Sequence, residues 1–186
     1  MISWESDMGK ALARGIAEQK SVLLEFFSHD CIGCQQMEEV TFADADVINF
    51  ISSHMVPLRI PVTKEALAAD FRVFWTPTLI VIDYYGKEHQ RTLGYLPPEE
   101  IVASFLLGIG KVSLGYGQFN EAVIQFNTLL NGCPRSSVAA EAVYLRGVAR
   151  YKASQALAAL KETYQFLLVK YPESEWTRRA APFNLL

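Results

Sequence analysis

Residues 22–38 of the chain read VLLEFFSHDCIGCQQME. The apolar run at the start is typical of a buried strand, and a short polar loop separates it from two cysteines, Cys31 and Cys34. The residues after the pair are typical of a helix. In an intracellular chain, an apolar strand followed by Cys-x-x-Cys and a helix is a redox pattern.

The spacing of the two cysteines has a chemical reason. If Cys31 opens the helix, its sulfur faces unpaired backbone N–H groups and the positive end of the helix dipole. Both favour the thiolate, which is the form of cysteine that attacks a disulfide. Cys34 lies one turn further along the helix, close enough to attack a mixed disulfide formed at Cys31 and release the product.

Two other interpretations of the pair stay open, namely two small buried residues or half of a zinc site. A structural zinc site has four ligands, usually in two closely spaced pairs. The third cysteine, Cys133, and the three histidines, His29, His54 and His89, form no such second pair. The sequence therefore predicts neither a metal nor a cofactor, and metal binding by the thiolate pair alone is the weakest hypothesis.

Composition restricts the class of protein. A chain of 186 residues with 51% hydrophobic content holds one large domain or two small ones. The net charge of −3 gives no reason to expect a nucleic acid or an anionic membrane surface as partner. The N-terminus lacks the pattern of a signal peptide, and no apolar run is long enough to cross a bilayer. We therefore expect a soluble, cytoplasmic protein.

One carboxylate interrupts the apolar run. Glu25 lies six residues before Cys31, inside a strand that is otherwise apolar. A buried carboxylate is costly unless it has a partner or a function. The functional hypothesis is that Glu25 has a raised pKa and accepts the proton of Cys34. The alternative is an edge position with the side chain turned to water.

The order of predicted elements over residues 4–108 resembles the thioredoxin family. The pattern predicts a helix, a strand, the Cys-x-x-Cys helix, a strand, a helix, a strand after a proline, a hairpin strand and a final helix. The resemblance implies an α/β thioredoxin-like fold, in which helices flank a central mixed sheet. The positions that carry it are Glu25, Phe27, Cys31, Cys34, Thr76-Pro77-Thr78 and Gly94.

The resemblance also implies roles for these residues. Cys31 would be the attacking thiolate, Cys34 the resolving thiol, and Glu25 the buried acid beneath them, where the family usually has the shorter aspartate. Thr76-Pro77 would form a cis-proline loop that faces the cysteines and pairs its backbone with an extended substrate. The residues expected to bind the substrate are Trp75, Thr76, Pro77 and Gly94.

The chain departs from thioredoxins next to the cysteines. Asp30 stands where thioredoxins have tryptophan, and Ile32-Gly33 stands where they commonly have Gly-Pro. The charge of Asp30 opposes ionisation of Cys31, whereas a protonated His29 favours it. The sequence therefore does not predict whether the protein reduces, oxidises or isomerises disulfides.

The second half has a different character. After Gly108 the strand signals stop, and apolar residues recur at helical spacing. The segment 126–136 is matched by the segment 164–174, which follows it by 38 residues and points to an array of helical hairpins. The region resembles tetratricopeptide repeats, and the positions of the first unit are Gly110, Gly117, Phe119, Ala122, Phe126 and Pro134. An ordinary helical appendage is the alternative. We predict a thioredoxin-like domain at 1–108 and a helical domain at 109–186.

Two hypotheses of function follow. In the first, the protein is a thiol–disulfide oxidoreductase that acts on protein disulfides together with a reducing or oxidising partner, while the helical repeats dock a protein. In the second, it is a non-catalytic interaction module that uses the thioredoxin fold as a scaffold. Because two repeats are too few to be stable alone, they are expected to lean on the first domain or on a second copy of the chain, so that a homo-oligomer is an open alternative.

Overall fold

The computed structural model describes all residues, 1–186. The chain divides into two compact units, Met1–Gly108 and Ile109–Leu186. None of the helices is both long enough and apolar enough to span a membrane. The elements, in chain order, are α1 (Met8–Glu18), β1 (Ser21–Phe27), α2 (Ile32–Gln36), a π-helical turn (Met37–Thr41), α3 (Ala45–His54), β2 (Met55–Pro61), α4 (Glu65–Asp70), β3 (Thr78–Ile82), β4 (Glu88–Leu93), α5 (Pro98–Gly115), α6 (Phe119–Gly132), α7 (Ala139–Ser154), α8 (Ala158–Lys170), α9 (Glu175–Ala180) and a 3₁₀ turn (Ala181–Leu185).

The first unit contains one mixed four-stranded sheet with the order β2-β1-β3-β4. β1 pairs with β2 in parallel and with β3 antiparallel, and β3 pairs antiparallel with β4. The apolar run of residues 21–27 is therefore an inner strand, covered on both faces, which explains why it has almost no polar alternation. This is the mixed sheet flanked by helices that the sequence predicts.

The core of this unit is built on three of the four strands. Its fully buried side chains come from β1, β2 and β3, and include Phe26, Leu58 and Ile80, while Ala11 of α1 and Ala68 of α4 close it from the helical side. Pro57 lies in β2, which is an edge strand of the sheet. Proline is tolerated at an edge because the missing N–H breaks no ladder between inner strands.

The helix after the cysteines is interrupted before α3. α2 continues into the π-helical turn, in which the N–H of Phe42 donates to the carbonyl oxygen of Met37 at 2.7 Å. Asp44 then caps α3, because its Oδ1 accepts from the N–H groups of Asp46 and Val47 at 2.9 and 3.0 Å.

The second unit consists of helices. Its pairs pack closely at two glycines: a Cβ at Gly110 would overlap the ring of Phe126, and a Cβ at Gly147 would overlap Thr163. The spacing between these two contacts is therefore close to the 38 residues that separate the matching segments 126–136 and 164–174. α7 begins at Ala139, and the Ser136 hydroxyl accepts from the N–H of Val138 in the turn before the helix.

Candidate active site

Cys31 is the residue that precedes the first turn of α2. Its sulfur accepts a hydrogen bond from the backbone N–H of Cys34, with 3.1 Å between Sγ and N. Cys31 is partly exposed, whereas the side chain of Cys34 is buried with 5% exposure. Both are free thiols in this structure. One sulfur is therefore accessible to a substrate and the other is shielded behind it.

The surroundings make the two thiols chemically unequal. Burial disfavours the Cys31 thiolate, but hydrogen bonds from the Cys34 thiol, the Thr76 hydroxyl and the backbone N–H groups of Cys34 and Gly33 outweigh it, and the pKa of Cys31 is lowered. Burial, together with the hydrogen bond to Cys31 and its charge, raises the pKa of Cys34 to about 11. Near neutral pH, Cys34 is therefore a protonated thiol and Cys31 is the easier of the two to ionise.

The loop that carries Pro77 lies directly opposite the cysteines. The Thr76–Pro77 peptide bond is cis. A Cβ placed on Gly33 would lie 3.0 Å from Pro77 Cδ and 3.9 Å from Cys31 Sγ, so that the ring of Pro77 and the sulfur flank the same glycine. This close approach explains why a residue without a side chain stands between the cysteines here.

Gly94 makes a backbone hydrogen bond to the proline loop. Its φ of +84° lies in the region that favours glycine, and its N–H donates to the carbonyl oxygen of Pro77 at 2.8 Å. Gly94 therefore fixes the backbone of the proline loop through this bond.

A cleft of about 670 Å³ runs along the exposed face of this arrangement. Three apolar side chains that line it are largely exposed, Phe74 at 78%, Trp75 at 62% and Ile32 at 79%. All four residues expected to bind the substrate line the cleft together with Cys31: Trp75, Thr76, Pro77 and Gly94.

Glu25 is fully buried within β1. Because β1 is an inner strand, the alternative of an edge position facing water is wrong. Arg59 of β2 stands opposite it in the strand pairing, and Arg59 Nε donates to Glu25 Oε2 at 2.7 Å. Burial raises the pKa of Glu25, and the bonds and charge of Arg59 offset only part of that rise.

Arg59 joins Glu25 to a second acid. Its Nη1 lies 2.6 Å from Oε2 of Glu38, and its guanidinium carbon lies 4.9 Å from the ring centroid of Trp4 and 5.0 Å from that of Phe27. A smaller cleft of about 280 Å³ is lined by Arg59, Glu38 and Cys34, among others. Cys34 therefore shares a small cleft with the charged side chains of Arg59 and Glu38.

The sequence gives no role to Arg59 and Glu38. A signal for Arg59 exists in the sequence, because it is the one charged residue in the apolar stretch that forms β2, and β2 pairs with the strand that holds Glu25. Glu38 lies on the exposed side of the π-helical turn, and its approach to Arg59 depends on the tertiary fold. No group of three or more His, Cys, Asp or Glu side chains is arranged to hold a metal ion.

A sequence model of the thioredoxin-like domain matches residues 8–106. The chain belongs to the thioredoxin-like family. Its solved relatives include the thioredoxin of Thermus thermophilus, with 26% identity, a TM-score of 0.54 and coverage of 63% of this chain and 95% of that one. A putative disulphide-isomerase of Bacteroides thetaiotaomicron has 26% identity, a TM-score of 0.53 and coverage of 58% and 93%. The predicted thioredoxin-like fold is therefore confirmed.

Curated members of the family that match the chain are named thiol:disulfide interchange protein DsbD. The protein from Ralstonia nicotianae is 30% identical over 111 residues, which are 56% of this chain and 18% of that protein. The protein from Colwellia psychrerythraea is 30% identical over 107 residues, or 53% of this chain and 17% of that protein. The chain therefore spans less than a fifth of the length of these relatives.

Proposed function

We propose that this protein catalyses thiol–disulfide exchange on protein disulfides through Cys31 and Cys34. One observation carries the proposal: the partly exposed Cys31 has a lowered pKa, and the buried Cys34 beside it has a pKa raised to about 11. A pair with one accessible thiolate and one protected thiol fits a nucleophile and a resolving group. The names of the DsbD relatives support the same chemistry.

The exchange has two steps. The Cys31 thiolate attacks one sulfur of the substrate disulfide, a bond forms between Cys31 and the substrate, and the other substrate sulfur leaves as a thiolate and takes up a proton. Cys34 then loses its proton and attacks Cys31 Sγ, so that the second substrate sulfur leaves. Two electrons pass from the protein pair to the substrate, and a dithiol partner restores the pair. The reverse sequence oxidises a substrate dithiol.

Glu25 is proposed as the acceptor of the Cys34 proton, either directly or through water. A carboxylate is a useful base near neutral pH only if its pKa is raised, and burial has that effect here. The cleft between Cys34, Glu38 and Arg59 is open to solvent and offers a path by which the proton leaves the site.

We infer that the substrate is an extended segment that lies along the proline loop. The backbone of Thr76 and Pro77 would pair with it, and the exposed side chains of Trp75 and Ile32 would contact apolar residues next to its disulfide. The helical unit would dock a protein partner through its tetratricopeptide-like hairpins. The recurring close contacts at Gly110 and Gly147 support the repeat.

Reduction of insulin disulfides with dithiothreitol as the electron donor tests the redox proposal. The wild type and Cys133→Ser are expected to accelerate reduction equally, and Cys31→Ser is expected to be inactive. Cys34→Ser should capture substrates as stable mixed disulfides that dithiothreitol releases. If Cys31→Ser retains activity, or if Cys34→Ser captures nothing, the exchange proposal fails, and binding by a non-catalytic scaffold remains.

A further inference from the structure

Arg146 in α7 is a half-buried cation without an acid. It belongs to none of the ion pairs of the helical unit, where Lys111 pairs with Glu141 and Arg150 with Glu162. Its one protein acceptor is a neutral amide, since Nη1 donates to Asn127 Oδ1 of α6 at 3.0 Å. A guanidinium has five N–H donors, so most of its hydrogen-bonding capacity is available to another molecule.

The electrostatic surroundings of Arg146 also favour an anion. Burial, followed by the charge of Arg150, lowers the pKa of Arg146, while Tyr171 acts weakly in the opposite direction. A partly desolvated cation next to a second cation is an unfavourable arrangement that a bound anion would relieve. The net charge of the chain is −3, so this local positive site is not part of a generally basic protein.

An aromatic ring lies next to the cation, and exposed apolar side chains lie on the two neighbouring helices. The guanidinium carbon of Arg146 lies 5.7 Å from the ring centroid of Phe166 in α8, and that ring is 41% exposed. Val169 lies three residues after Phe166, and Ile124 lies three residues before Asn127. Residues three apart share a helix face, and both side chains are exposed, at 76% and 52%. Three helices thus contribute a cation, the aromatic ring beside it and two exposed apolar side chains on the faces that carry Asn127 and Phe166.

We propose that Arg146 binds a carboxylate of an extended acidic protein segment, with apolar residues of the segment on Ile124, Phe166 and Val169. A carboxylate fits the fork of one guanidinium in a bidentate manner, and the free amide N–H groups of Asn127 can serve a second oxygen. A phosphate group carries more charge and more acceptors than a single available arginine satisfies. The inference rests on the proposal that the helical unit docks a protein and is independent of the chemistry at Cys31.

Binding of the full chain to arrayed octapeptides tests the proposal. All positions are randomised except the fourth, which is aspartate in one set, asparagine in a second and phosphoserine in a third. The aspartate set is expected to bind about tenfold better than the asparagine set, because the amide lacks the charge-assisted pair. Apolar neighbours should be enriched among the strongest binders. Equal binding of the first two sets, or strongest binding of phosphoserine, would overturn the proposal.

Matched variants test whether Arg146 is the residue that causes the preference for aspartate. Arg146→Gln keeps a donor for Asn127 but removes the charge, and it is expected to abolish the preference for aspartate. Arg135→Gln removes an exposed arginine from the turn after α6, and this variant should retain the preference for aspartate. If Arg146→Gln retains the preference, the site is wrong. If its helical circular dichroism signal is reduced, Arg146→Lys decides instead: loss of most of the preference supports the guanidinium fork, and full retention contradicts it. Insulin reduction should be unchanged in every variant, which separates this test from that of the redox site.

Discussion

Glu25 and Arg59 form an ion pair across the parallel strands β1 and β2, with 2.7 Å between Oε2 and Nε. The carboxylate is fully buried, whereas the arginine reaches toward the surface and also holds Glu38. The pair places a buried titratable group in β1, the strand that precedes the cysteine pair, and supplies the cation that makes its burial tolerable. The proposed transfer of the Cys34 proton to Glu25 depends on this pair.

Replacement of Arg59 by methionine should destabilise the protein by about 3 kcal/mol, because a buried carboxylate is left without its partner. Urea denaturation at neutral pH measures the free energy of unfolding. The double variant Arg59→Met with Glu25→Leu should recover much of the loss, since it removes both charges from the site. A single variant as stable as the wild type would contradict the structural role of the pair.

The contribution of Glu25 to stability should depend on pH in a definite direction. Burial raises its pKa, so at a pH between the unfolded and the folded pKa the carboxyl group of the folded protein keeps a proton that the unfolded chain has already lost. That stabilisation is complete below the unfolded pKa of about 4.3 and is lost as pH rises through the folded pKa. The free energy of unfolding of the wild type relative to Glu25→Gln should therefore fall as the pH rises above about 4.3. A difference that stays flat or rises would show that the pKa of Glu25 is not raised.

Thr76→Val should raise the pKa of Cys31. The Thr76 hydroxyl hydrogen-bonds both sulfurs and favours their ionised forms, and valine keeps the branched shape without the donor. The rate of iodoacetamide modification at neutral pH should fall accordingly, with little change in stability. Thr128→Val on the exposed face of α6 serves as the control. An unchanged alkylation rate in Thr76→Val would remove this hydroxyl from the account.

Gly33→Ala should slow disulfide exchange by about tenfold or more. Its Cβ would lie 3.0 Å from Pro77 Cδ, so either the proline loop or the sulfur of Cys31 must shift, and small displacements of reacting groups are costly. Gly132→Ala is the matched control, because no atom lies within 4 Å of a Cβ at that position. Insulin reduction measures both variants. Equal rates would mean that the loop adapts without loss.

Most of the fold could be predicted from local sequence patterns. Three local patterns each predict one element and the element next to it: the apolar run 21–27, the pair Cys31 and Cys34, and the proline before β3. The mixed sheet follows from the order of these elements. The first residues of helices were less predictable. In α7, for example, the Ser136 hydroxyl hydrogen-bonds within the turn before the helix and does not cap the helix.

The site was only partly predictable, because its electrostatics depend on tertiary pairing. Periodicity places Glu25 in a strand, but the partner that neutralises it comes from the register of β1 against β2. In the same way, nothing in the local sequence of α7 indicates that Arg146 meets Asn127 and Phe166 from two other helices. The cytoplasmic location and the tetratricopeptide-like assignment stay predictions.

The most direct measurement is the pH dependence of iodoacetamide modification in the reduced wild type, with each cysteine followed separately by peptide mass spectrometry. Cys31 is expected to react with a midpoint below the value of about 8.5 for a free cysteine. Cys34 should stay protected until the pH approaches its pKa of about 11. A midpoint for Cys31 at or above that of a free cysteine, or reaction of Cys34 before Cys31, would contradict the proposed roles of the two cysteines.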